Sequence, residues 1–248
     1  MNPSSKDRKL IFRAPGTWLM LAVLSFLMAW MGWQMIDRYN SLQSALVQLP
    51  NPPTITQNLW VPMMLMVVKL SLLLVAYTSG LAIAKERSQQ TLWYLLINRS
   101  SDHALIWNKF KAQSGVLAFV LLHVLVMTAL LQVGGAVDWL QVACGVLGMV
   151  LLLCWFTALG LLLSSHCQQA GTAVLLNAVV FVMLWILGGP GVGDEYGINW
   201  LVLMSPAHHL QWFMAAEVGL SSVLYFGLGS WVLLWLAGHQ VTRLRRQL

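Results

Sequence analysis

Apolar residues in this chain come in long unbroken blocks and show no strand-like alternation. Six blocks stand at roughly 17–36, 60–84, 114–133, 139–163, 171–189 and 221–239. A helix of about 20 residues rises about 30 Å, enough to cross the hydrocarbon layer. Backbone groups in lipid need internal partners, and a barrel would show short alternating segments. The pattern predicts an all-α polytopic membrane protein: one domain over 1–248 with six transmembrane helices.

The polar interruptions differ from one another. Segment 37–59 carries LPNPPT, an extended stretch, and 134–138 is a tight turn. Segment 190–220 is longer and more structured. Ser205 and Pro206 there have the N-cap and first-turn pattern of a new helix. His209 and Phe213 lie on it, with Leu210, Phe213 and Met214 as its apolar stripe. About a dozen residues reach only about 18 Å, so this helix is expected at the outer surface or as a re-entrant element. The longest polar passage is 85–113, where Leu92, Leu95 and Leu96 recur at helical spacing. An amphipathic helix there needs a surface to lie on, either lipid or a partner protein.

Composition agrees with the pattern. The chain is 58% hydrophobic and only 9% charged, against roughly 25% charged in soluble domains. Lys6, Arg8, Lys9 and Arg13 precede the first block. Lys85, Arg87, Arg99, Lys109 and Lys111 lie between the second and third, and Arg243, Arg245 and Arg246 follow the sixth. Twelve of the 14 basic residues thus fall on one side, which the positive-inside rule makes cytoplasmic, together with both termini. The net charge of +6 therefore reflects topology, and nucleic acid is not an expected partner. The first block is too long for a signal-peptide core and is expected to be retained. Cys144, Cys154 and Cys167 lack metal-like spacing and read as packing residues.

The string Glu86-Arg87, then Thr91-Leu92, Leu95-Leu96, Arg99-Ser100-Ser101 and Lys109, resembles the cytoplasmic coupling region of ABC-2 type exporter permeases. These are the membrane subunits of ATP-binding-cassette (ABC) transporters. SPAHHLQWFMAAEVGLSSVLYF resembles the outer element of the gliding-motility-associated (GldF-like) subgroup. Gln90 stands where that family usually has Gly, Trp93 where it has Glu, Arg99 where it has Pro, and Asn108 where it has Gly. The resemblance implies a permease of the bacterial inner membrane, working as a dimer with a second or homologous permease and two ABC ATPase subunits. Membrane lipid and periplasmic accessory proteins complete the implied surroundings. Leu92, Leu95 and Leu96 would anchor the ATPase, Trp93 or Tyr94 would add aromatic contact, and Glu86, Arg87 and Arg99 would orient it as charged rim contacts, with Thr91 and Lys109 in the same docking string. The chain has no Walker-type Gly-x-x-x-x-Gly-Lys-Ser/Thr string, so ATP and Mg are expected in the partner and no enzymatic activity here.

Lys69 is the one basic residue inside an apolar block, a candidate for the translocation path or for an anionic cargo group. Ala76, Gly80 and Ala84 form a small-x-x-x-small series, suited to packing within the chain or to a dimer face. His123 has no mid-span His to pair with for haem, and His208 and His209 are adjacent, a poor metal pair. Ser164, Ser165 and His166 are contiguous, unlike a nucleophile and base that meet through folding. Asn177 reads as an interhelical hydrogen-bond residue. Two other functions stay open: an ion-coupled secondary transporter, and a scaffold or mechanotransmitter using the same ATPase without moving solute. The first normally needs carboxylates within its spans, and no acidic residue here is clearly mid-span.

Overall fold

The computed structural model describes residues 3–46, 54–92, 102–188 and 199–246. Every regular element among them is helical. α1 (Pro3–Arg13) meets α2 (Pro15–Leu46) at a break before Pro15. A π-helical turn, Thr56–Trp60, leads into α3 (Val61–Ser88). α4 (Asp102–Ala112) and α5 (Ser114–Gly134) join at Gln113. Then come α6 (Trp139–His166), α7 (Ala170–Ile186), α8 (Asn199–Leu203), α9 (Pro206–Met214) and α10 (Leu220–Arg246).

Five stretches are long and apolar enough to cross a membrane: Pro15–Leu42, Thr56–Ser88, Asp102–Val133, Trp139–His166 and Leu220–Arg246. The chain therefore has the architecture of a multi-pass helical membrane protein. α7 is apolar but has 17 residues, about 25 Å of helix. The expected block boundaries are corrected outward in several places. α2 runs on past Ile36 to Leu46, and the third helix begins at Asp102, well before Ser114. Gln113 only tightens the turn, its N–H shared between the Lys109 and Phe110 carbonyls at 3.3 and 3.1 Å. Hydropathy marks where lipid begins, whereas Asp, Arg and Lys continue a helix into water at little cost.

α3 and α6 form the centre, each 61% buried over its most apolar stretch, against 22% for α2 and α10. α3 runs antiparallel to α7. Ala84 meets Ala173, Gly80 meets Val174, and Asn177 reaches Ala76. A Cβ at Gly80 would lie 2.9 Å from Val174 Cα, so only glycine allows this approach. The series Ala76, Gly80, Ala84 is thus used for packing within the chain, one of the two uses open to it.

Polar side chains lock the same seam. Asn177 Nδ2 shares its two hydrogens among Ala76 O, Ser79 Oγ and Gly160 O, all at 3.2–3.4 Å, joining three helices. Ser164 Oγ donates to Gly80 O at 2.7 Å and accepts from Ala84 N at 3.1 Å. Both hydroxyl and amide are therefore structural ties of the kind lipid-embedded helices favour.

At the Trp60 end, α9 sits among the long helices. Ser205 caps it, accepting from Ala207 N at 3.3 Å and donating to Leu184 O at 2.8 Å. Phe213 is fully buried against Gly148. Gly148 lies nine residues into α6, about 14 Å along its axis. α9 is thus inserted beside α6 and does not rest on its end. His209 Nε2 donates to Leu203 O at 2.9 Å, since a carbonyl can only accept. Its Nδ1 then accepts from the Ser222 hydroxyl at 3.0 Å, and the ring stacks on Tyr225 at 4.2 Å.

Burial pushes the His209 imidazole below its ordinary value and neighbouring His208 adds to this, while the Leu203 carbonyl pulls the other way. As pH falls, the unfolded chain takes up this proton first. The stability from a neutral His209 is complete above about pH 6.5 and is lost as pH drops toward the lowered folded value. The expected result is a fall in the thermal midpoint of the detergent-solubilised protein between about pH 7 and 5. His209→Gln should flatten that part of the profile.

Candidate functional site

The opposite end of the bundle gathers most of the residues singled out for coupling. α3 carries Lys85, Glu86 and Arg87 in its last turn. It stops at Ser88 because Gln90 takes a left-handed conformation, with φ of 56°. Thr91 N donates to Glu86 O at 2.9 Å and Gln90 N to Arg87 O at 3.1 Å. This is a Schellman turn, which satisfies the last carbonyls of α3 and reverses the chain. Thr91 Oγ1 adds a contact to Glu86 O at 3.2 Å.

The reversal carries Leu92 back under the bundle. It is 5% exposed and belongs to a cluster with Ile83, Leu105, Ile106, Leu161 and Val241. That cluster draws on α3, α4, α6 and α10. α4 packs on α10 and on α1. Its buried positions, Asp102, Leu105, Ile106, Lys109 and Ala112, follow helical spacing.

Two ion pairs brace this arrangement. Lys109 Nζ meets Glu86 Oε1 at 2.5 Å, with Lys109 5% exposed. Arg245 Nη1 meets Asp102 Oδ1 at 3.3 Å, tying α10 to the start of α4. Arg87 Nη1 reaches Cys167 O at 3.5 Å, joining the end of α3 to the turn after α6. Gly238 lets α10 approach α4, since a Cβ there would collide with the His103 ring. His103 in turn meets His239 edge-on at 5.2 Å.

Several sequence expectations change at this point. Leu92 is no exposed knob, because the Gln90 turn folds it inward. Lys109 is held as the buried counter-ion of Glu86. Trp93, Leu95, Leu96 and Arg99 lie outside the described residues. The Asp102–Arg245 pair and the α4 stripe were not anticipated. Their signal was present in the spacing of residues 102, 105, 106, 109 and 112, within what reads as a polar segment.

Lys69 lies elsewhere, toward the Trp60 end of α3. It is exposed, with Nζ 6.0 Å from the Trp185 ring. Among the described residues, no group of His, Cys, Asp and Glu is arranged to hold a metal ion. The arrangement is a braced junction between helix ends. The chain matches no family model and no curated protein.

Proposed function

We propose that this chain is the membrane-spanning permease subunit of an ABC transporter of the type-2 exporter class. In this reading α7 is the remaining span and six helices cross the bacterial inner membrane. Both termini and the Glu86 end face the cytoplasm, as twelve of the 14 basic residues favour. Two separate ATPase subunits supply ATP and Mg chemistry, and a second or homologous permease completes the pathway. The chain itself performs no catalytic step.

One observation carries the reading. The segment leaving α3 at Glu86 is tied to α3, α4 and α10 by a Schellman turn, a buried leucine and two ion pairs. A displacement applied beyond Leu92 is therefore passed to several long helices as one body. Rigid-body rocking driven by a closing motor needs such a junction. The coupling-region motif over residues 86–109 supports the same assignment.

The test is purification of the chain with a co-expressed ABC ATPase. Leu95→Asp with Leu96→Asp is expected to release the ATPase while the membrane fold survives, because charged substitutions abolish an apolar anchor. Leu92 is left intact in this test, since its burial makes it part of the fold. An ATPase retained at full stoichiometry would contradict the docking role.

A further inference from the structure

The seam between α3 and α7 changes character along its length. Near the Glu86 end, Ala84, Gly80 and Ala76 hold the two helices in close contact. Toward the Trp60 end the small residues stop. Leu72, Leu73 and Lys69 face Ala178, Val182 and Trp185, and a groove of about 200 Å³ opens between the helices. Lys69 marks its end nearer Trp60, nine residues or about 14 Å along α3 from that indole. From Lys69 inward the walls are aliphatic and aromatic, with Phe181 at 1% exposure.

An ammonium at this depth is costly without an anion. The two ion pairs among the described residues both lie at the other end of the bundle. All eight acidic residues of the chain, Asp7, Asp37, Glu86, Asp102, Asp138, Asp194, Glu195 and Glu217, lie outside the six apolar blocks. Two-fold packing of a second copy here would set the two Lys69 ammonium groups together. The groove is also below the roughly 300–1,000 Å³ of pockets that enclose drug-sized ligands, which suits a slender chain.

We propose that this groove binds a membrane amphiphile with an anionic head, a carboxylate or phosphate paired with Lys69 and an acyl chain lying over Leu73, Ala178 and Val182. Lys69 lies at the end of the groove nearer Trp60, so the head sits at that end and the acyl chain runs along α3 away from Trp60. The site needs only the membrane fold and not the ATPase, so the co-purification above and the binding test below can fail separately.

The experiment is a native mass-spectrometry titration of the purified chain in a neutral detergent. The probes are palmitoyl lysophosphatidic acid, monopalmitoylglycerol and inorganic phosphate. Lysophosphatidic acid is expected to bind at least about tenfold more weakly to Lys69→Met than to the parent chain, with Lys69→Arg close to the parent. Monopalmitoylglycerol should bind weakly and equally to all three. Ala178→Phe, which fills the groove and leaves Lys69 intact, should also weaken lysophosphatidic acid, and it serves if Lys69→Met fails to fold. Undiminished binding to Lys69→Met or, if that variant fails to fold, to Ala178→Phe would overturn the assignment. So would equal affinity for the uncharged lipid, or competition by phosphate alone at the same concentration. Efficient disulfide formation between copies through Lys69→Cys in native membranes would place another chain on the groove and overturn it too.

Discussion

Glu86→Leu is expected to destabilise the folded chain by about 3–5 kcal/mol, the range for removing one member of a buried ion pair. Lys109 is 5% exposed, and Glu86 is the acid that meets it. Removing the carboxylate leaves an ammonium that water reaches poorly. The residue joins α4 to the last turn of α3, so the loss falls on the junction itself. Lys109→Met in the same chain removes the stranded charge, and the double variant should be less destabilised than Glu86→Leu alone. Denaturant unfolding of the four proteins in one detergent measures the coupling. A double variant as unstable as the sum of the singles would mean the pair contributes nothing to holding α4 on α3.

The membrane architecture was legible because lipid imposes a one-dimensional signal. Twenty apolar residues in a row leave few alternatives, and the basic residues collect on one side of the pattern. Helix ends were harder to place, because a helix continues into water once it is nucleated and hydropathy does not report that. The α4–α5 join shows the difficulty. Ser114 opens the apolar block, but the helix starts twelve residues earlier at Asp102.

Of the residues read as a docking string, Glu86, Arg87, Thr91, Leu92 and Lys109 gather at one end of the bundle. Leu92 sits in a string that reads as an exposed apolar stripe, yet the turn at Gln90 buries it. Gln90 there has a left-handed backbone, a conformation costing residues other than glycine about 1–2 kcal/mol. Glu86 and Lys109 are 23 positions apart, and no local periodicity joins them. Ala76, Gly80 and Ala84 were equally fit for contact within or between chains. Only the position of Val174 decides it.

Gly148 and Phe213 give the clearest handle on the inserted helix α9. A Cβ at Gly148 would fall 2.5 Å from both Cβ and Cγ of Phe213. Those atoms are near the backbone, so no rotamer change relieves the overlap and α9 must shift. Gly148→Ala is expected to destabilise the protein by about 1–3 kcal/mol, the cost of overpacking. Phe213→Ala removes a fully buried ring and should cost about 3–5 kcal/mol through cavity formation. Combined, the two substitutions should be markedly less harmful than their sum, because the new methyl enters space the ring has left. Thermal unfolding in detergent reads the coupling. Proteolysis at the turn after Met214 reads release of α9, which Gly148→Ala should accelerate. Simple additivity of the two effects would show that Phe213 does not seat on Gly148 and that α9 lies elsewhere on the bundle.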